Sequence, residues 1–322
     1  MRSIPSWTAF KTVAVSPSVQ LSHPVGWRDH GRMMIATFIV ATSFPVGAAI
    51  APGLDALVLT FLRFLLAAAL FLPIVIFRYG FSLPGLRDLL RYAVISACMV
   101  GFFWSMFEAL QITTALNTGA LFTFIPGISA LVAAVLLKDR LNRGKLIALV
   151  LGSIGAMWVV FRGDPDRLLA LELNRGDLIF FAGCVVFGFY PSLVKLFHRG
   201  EPMPVMTFWT LATGSVWLLL LSGSELASTD WFAIKPEVYL GIVYLAIFST
   251  LITFFLTQYS TVRLGPTKVM AYSYMNPALV LAITWAIGQA PASLMVLPGA
   301  VIALGAMVVL QGKTGPHVRQ AG

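Results

Sequence analysis

Apolar residues in this chain fall in long unbroken runs separated by short polar segments. The runs cover residues 33–51, 55–77, 92–115, 118–137 and 145–161. A polar stretch at 162–177 follows, then runs at 178–197, 204–222, 238–260, 267–288 and 292–311. Each is close to the ~20 residues an α-helix needs to cross a hydrocarbon core. Neither strict alternation nor a one-sided stripe of apolar positions explains runs of this length. The pattern predicts an all-α membrane protein with ten transmembrane helices. Its weakest breaks are Asn117-Thr118-Gly119 and Gly288-Gln289-Ala290-Pro291. If either failed to turn, the resulting helix would be too long for a bilayer.

Composition agrees with this reading. Of 322 residues 58% are hydrophobic and 11% charged, against about 25% charged in soluble domains. So few charges cannot cover a soluble surface of this size, and the expected surroundings are a lipid bilayer. The net charge of +9 does not point to nucleic acid, because the basic residues are scattered through the short segments between runs. With the N-terminus placed in the cytoplasm, 17 of the 22 Lys and Arg residues fall on the cytoplasmic side. Only Arg162, Arg167, Arg175 and Lys235 fall opposite, and Arg63 lies within a run. That asymmetry is the positive-inside signal, and it places both termini, including the tail 312–322, in the cytoplasm. A bacterial inner membrane is the expected location. Residues 1–32 are polar and lack the apolar centre of a secretory signal. A cytoplasmic tail, an organellar transit peptide and a true start at Met33 or Met34 remain open for them.

The two halves resemble each other. Ser43-Phe44-Pro45 has a counterpart in Phe189-Tyr190-Pro191, and Pro126 in Pro277, at offsets of 146 and 151 residues. Five runs per half is an odd number, so the second half must be inverted relative to the first. Inverted repeats are the architecture of many secondary transporters, with the solute site at mid-depth between the halves.

A family resemblance rests on particular stretches. In the first half they are Ala109-Leu110-Gln111-Ile112-Thr113-Thr114-Ala115, Pro126 and Leu137-Lys138-Asp139-Arg140-Leu141. In the second half they are Leu264-Gly265-Pro266-Thr267 and Asn276-Pro277, with Arg63 and Gly176-Asp177 also fitting. Over residues 33–311 the chain resembles the EamA-like branch of the drug/metabolite transporter superfamily. Asp139 stands where that pattern has glutamate, and Gln289 where an acid is common. The resemblance implies two inverted five-helix repeats, 33–161 and 178–311, and carriage of small polar or amphipathic solutes, often outward. Amino acids and drug-like solutes are the expected cargo.

Chemistry-bearing residues within the runs are few. Arg63 and Glu108 are the only charges well inside them. Such residues cost at least ~2.5–3.5 kcal/mol on insertion scales and mark partners or pathways. Counted along the runs, both lie at similar depth, so a mutual ion pair competes with a direct role in binding solute or proton. The other candidates for solute binding are Ser43, Phe44, Thr123, Tyr190, Thr253, Tyr272 and Asn276. Pro45, Pro126, Pro191 and Pro277 are candidate helix kinks, because proline frees a backbone carbonyl to line a wet cavity. Thr42, Thr250, Gln258 and Tyr274 lie in the same polar stretches, whereas Phe102, Phe103 and Trp104 read as packing or lipid contacts.

Cys98 and Cys184 lie inside apolar runs, and His23, His30, His198 and His317 in tails or loops. No metal-ligand spacing, nucleotide-binding loop or nucleophile motif stands in a usable context, so no metal, cofactor or catalytic residue is expected. The expected partners are a small-molecule solute and lipid, with the proton as a candidate coupling ion and a homodimer as a candidate assembly. A membrane-embedded enzyme of lipid metabolism would need clustered acid, base or nucleophile pairs at one depth. That class, channels and non-transporting scaffolds are the alternatives to a carrier.

Overall fold

Helices begin and end where the local chemistry dictates. In the computed structural model, which describes residues 26–110, 112, 113, 115–170, 173–288 and 294–312, the described residues contain helices and no strand. Helix α1 spans Trp27–Ile50, α2 Ala56–Tyr79 and α3 Leu86–Leu110. Helices α4 (Ala115–Phe122) and α5 (Ile125–Leu136) share one apolar run, and α6 is Arg143–Val160. A short α7 (Pro165–Leu169) precedes α8 (Arg175–Phe197), α9 (Met203–Leu221) and a short α10 (Gly223–Ser228). Helices α11 (Pro236–Tyr244) and α12 (Thr253–Leu264) are joined by a π-helical segment, Leu245–Ile252. Helices α13 (Pro266–Ala271) and α14 (Asn276–Ala286) are joined by a 3-10 turn, and α15 is Leu297–Gln311. The Asp55 carboxylate accepts from the Leu57 and Val58 N–H groups at the start of α2. Asn142 caps α6 by accepting from the Lys145 N–H. Gly80, at φ +77°, closes α2 in a conformation that favours glycine.

Eight of these helical stretches are long and apolar enough to cross a membrane, counted over the described residues. The two remaining runs are α1, a 24-residue helix, and 266–286, interrupted at Tyr272–Met275. The chain is an integral membrane protein, and its outward surface agrees. Leu65, Val135, Ile147, Leu220, Leu240, Val301 and Val308 are exposed, as the lipid-facing side of a bundle requires.

Several boundaries differ from the sequence pattern. Helix α1 begins at Trp27 rather than 33, drawing Asp29, His30 and Arg32 out of the supposed tail and into the fold. Helix α3 runs from 86 to 110 rather than 92 to 115. The turn expected at Asn117-Thr118-Gly119 falls earlier, since those residues open α4. The Ile112 and Thr113 N–H groups both close onto the Ala109 carbonyl at 2.8 and 2.7 Å and end α3 there. Residues 1–25, Gln111, Thr114, Gln289, Ala290, Pro291, Lys313, His317 and Arg319 lie outside the described residues.

Pro126 and Pro277 each stand at the start of a second half-helix, α5 and α14. There the missing N–H falls on a position with no intrahelical acceptor. Pro45 and Pro191 lie inside continuous helices.

In a bilayer, helices are held by close packing and polar contacts rather than by hydrophobic drive between them. Helix α3 packs on α8 and α9, α2 on α9, α5 on α8, α1 on α12 and α14, and α6 on α15. In the last pair the two backbones approach closely. A methyl group on Gly155 would lie 2.7 Å from the Gly299 carbonyl oxygen, and one on Gly299 would lie 2.6 Å from that of Gly155. The two larger of three buried clusters among the described residues form most of the interior. One joins α1, α3, α5, α6, α8 and α15 around Phe102, Phe180 and Tyr274. The other joins α2, α3, α8, α9 and α12 around Phe64, Tyr190 and Met206.

Candidate functional site

Two buried carboxylates stand at equivalent places in the two halves. Each is the third residue of the first helix of its half and accepts from the N–H of the residue that caps the helix, Gly26 for Asp29 and Asn174 for Asp177, and with Asn174 the capping box is complete. In this arrangement the acid returns to the N–H of the capping residue and satisfies a donor the helix leaves free. Asp29 and Asp177 are 2% and 1% exposed, too deep for capping alone to explain.

Each also has partners from the opposite half. Asp29 accepts from Arg263 at the end of α12, Nε to Oδ1 at 2.8 Å and Nη2 to Oδ2 at 3.1 Å. Arg32 adds a bond at 2.7 Å, and both guanidinium groups lie over the Tyr259 ring. Beside them the Tyr272 hydroxyl meets His30 Nδ1 at 2.7 Å. Asp177 instead accepts from neutral groups of the first half. The Thr113 hydroxyl donates to Oδ1 at 2.5 Å and the Asn117 amide to Oδ2 at 3.0 Å. Asn174 closes the ring by donating from its amide to the Thr113 hydroxyl at 3.1 Å. One cluster ties α1 to the end of α12; the other ties α8 to the segment after α3. The sequence pattern puts Asp29 in a tail. The signal that finds it is the shared spacing of a capping residue three positions before an acid at the start of each half.

A third buried charge is Arg63, on α2 and 3% exposed. It does not pair with Glu108. Helix α3 ends at Leu110, so Glu108 lies two residues from the helix end and Arg63 seven residues into α2. At 1.5 Å per residue Glu108 is about 3 Å and Arg63 about 10 Å from its own helix end. The equal depth read from the apolar runs came from running span 3 on to residue 115. Arg63 donates from Nε and Nη2 to the Thr250 hydroxyl at 3.2 and 3.1 Å, and its guanidinium lies 4.7 Å from the Phe103 ring centroid. Phe103 is therefore a wall of this centre rather than a bare packing residue. Thr250 belongs to the π-helical segment, a local widening frequently found at functional sites. Glu108 is half-buried and makes no ion pair among the described residues.

The remaining candidates are dispersed around this centre. Tyr190 is buried and stacks on Phe187, with centroids 5.5 Å apart and planes 7° apart. Its hydroxyl lies near Gln258 but closes no hydrogen bond of normal geometry. Gln258 is held by Thr207, which donates to it at 2.6 Å, and itself donates to Thr210 at 3.3 Å. Asn276 is buried and its side-chain oxygen is unpartnered among the described residues. Thr253, Thr123 and Ser43 each return their hydroxyl to a carbonyl of the preceding turn, the ordinary role of such residues in a membrane helix. Phe44 sits edge-on to Phe122 at 6.2 Å, beside Thr42, whose hydroxyl meets that of Tyr244 at 2.6 Å. A cavity of about 670 Å³ opens near the ends of α1 and α11, lined by residues including Val46, Ile50, Lys235 and Glu237. It contains none of the candidates.

The profile of the EamA-like transporter family matches residues 32–161 and again residues 174–311. The chain belongs to that family. The second match contains Asp177, and the first begins three residues after Asp29. Among EamA relatives, the uncharacterised transporter YyaM of Bacillus subtilis (strain 168) is 26% identical over 253 residues, 78% of this chain and 82% of its own. An uncharacterised transporter of Archaeoglobus fulgidus is 25% identical over 234 residues, 70% and 76% respectively. A solved protein crystal structure superposes with a TM-score of 0.72 at 19% identity, over 88% of this chain and 96% of its own. That likeness concerns the fold alone.

Proposed function

We propose that the protein is a secondary-active carrier of ten membrane-spanning helices in two inverted five-helix repeats, moving a small polar or amphipathic metabolite by alternating access. The observation that carries this reading is the matched pair of buried aspartates. Each repeat opens on a capped carboxylate that grips the third helix, or its end, in the other repeat. In an inverted arrangement the two grips lie at opposite faces, the Asp29 cluster at the cytoplasmic face and the Asp177 cluster at the outer one. Parting α1 from α12 opens the first face, and parting α8 from α3 opens the second. A carrier needs such contacts to break one at a time. The broken helices at Pro126 and Pro277 and the π-helical segment supply the irregular backbone that a membrane tolerates only where it is buried in protein or lines a cavity.

Outward carriage across a bacterial inner membrane, with both termini inside, fits the basic-residue asymmetry and the family. Glu108, half-buried and without an ion-pair partner among the described residues, is the candidate proton carrier. The test is uptake of labelled amino acids, nucleosides and cationic drugs into liposomes holding the purified protein, with and without a pH gradient. Saturable uptake with counterflow is the expected result, and Glu108→Gln should remove any acceleration by the gradient. Absence of flux from folded protein would return the scaffold and enzyme readings to the front.

A further inference from the structure

Arg63 carries a full positive charge in the apolar interior of the bundle without an acid to balance it. No Asp or Glu carboxylate among the described residues lies within ion-pair distance of it, and Nη1 has no hydrogen-bond partner among them. Nε and Nη2 converge on a single hydroxyl oxygen, which carries no net charge. The Phe103 ring face offers only its quadrupole. A purely structural role does not call for arginine here, since an apolar side chain of similar volume commonly replaces buried charge without loss of stability.

What the surroundings do provide is orientation. Thr250 holds the Nε–Nη2 edge and Phe103 covers one face, so the guanidinium plane is fixed and its Nη1 end is left to bond. The adjoining wall is aromatic: Phe103 stacks with Phe254 at 6.3 Å, and Phe254 meets Phe64 edge-on at 5.6 Å. A planar, fixed, unneutralised guanidinium is suited to an oxyanion that accepts in-plane hydrogen bonds.

We infer that Arg63 is the receptor for a carboxylate on the carried solute, and that Phe103 and Phe254 receive the apolar body attached to it. This rests on the carrier reading and narrows it. Among small polar and amphipathic solutes it selects those bearing a carboxylate, free amino acids included, over drug-like cations. Thr250 acts as a positioning residue.

The experiment compares matched carboxylates and carboxamides, phenylacetate with phenylacetamide and leucine with leucinamide, by the melting temperature of the detergent-purified protein. Carboxylates should raise it and amides should not. Arg63→Met should abolish the rise while itself melting no lower than the parent. Arg63→Lys, which keeps charge but loses the planar fork, should weaken carboxylate binding on the order of 10- to 100-fold. Thr250→Val should weaken carboxylate binding less. The inference is overturned if no carboxylate raises the melting temperature, if the rise survives in Arg63→Met, or if that variant melts well below the parent, which would make Arg63 a structural clamp. Counterflow in liposomes separates the two levels. Saturable exchange of amides or cations undiminished in Arg63→Met defeats the carboxylate assignment and leaves the carrier intact. No exchange of any solute by the folded parent protein defeats both.

Discussion

Asp29 and Asp177 occupy the same place in the two halves and are equally buried, yet they are satisfied by different chemistry. Asp29 meets two guanidinium groups, one of them 39% exposed, at the margin of the bundle. Asp177 meets a hydroxyl, an amide and backbone N–H. A charged partner at a partly wet margin holds through Coulomb attraction that water and salt weaken. A carboxylate in a ring of neutral donors holds through directional bonds that salt hardly touches. The same fold position thus yields one salt-sensitive and one salt-insensitive contact, and the proposed carrier would open its two faces with different ease.

That contrast can be broken or sharpened by substitution, beginning with the largest effect. Asp177→Ala strands the Thr113 hydroxyl and the Asn174 N–H in a buried site and should cost about 3 kcal/mol of stability, read from denaturation in detergent. A loss smaller than that of Asp29→Ala would reverse the ranking. Asp29→Ala should cost about 1–2 kcal/mol, because Arg263 and Arg32 keep some access to water. A chain beginning at Met33 should lose more, since it lacks the same carboxylate together with the first turn of α1 and the His30–Tyr272 hydrogen bond. Arg263→Lys replaces a forked contact by a point charge and should cost about 1 kcal/mol. Raising salt from low to molar concentration should shrink the difference between the parent and Asp29→Ala while leaving that for Asp177→Ala unchanged.

The smallest expected effect is a pH dependence at the junction of α8 and α9. Burial disfavours the charged His198 imidazole and Glu201 favours it, and the balance leaves its pKa below the usual 6.5. As pH falls through 6.5 the unfolded chain takes up the proton first, so stability declines with acidification until the folded-state value is passed. His198→Gln should flatten that part of the melting-temperature profile. An unchanged profile would show that His198 does not set it.

Much of the architecture was legible in the sequence because the bilayer imposes it. Long apolar runs, sparse charge and basic asymmetry together leave room for little besides a helical bundle in lipid, and the paired prolines pointed to two related halves. The prolines at 126 and 277 read as kinks, and the structure sets both at the start of half-helices, where proline is best tolerated. The candidate site was less legible. Arg63 stood out because an intramembrane arginine is costly wherever it lies. Its partner did not, because Glu108 seemed level with it only while span 3 was extended to residue 115. Asp29 was hidden by the charged residues around it, which made the segment look like a tail.

The sequence by itself determined that this protein lives in a membrane, that it is helical and that it is built of two related halves, since hydropathy and repetition are properties of the chain read in order. Only the tertiary structure decided which polar groups meet. Asp29 and Arg263 are 234 residues apart, Arg63 and Thr250 187, and no local pattern encodes such a distance. Those meetings depend on where each helix ends, how deep it sits and which face it turns inward, and these are fixed by packing among all the helices at once.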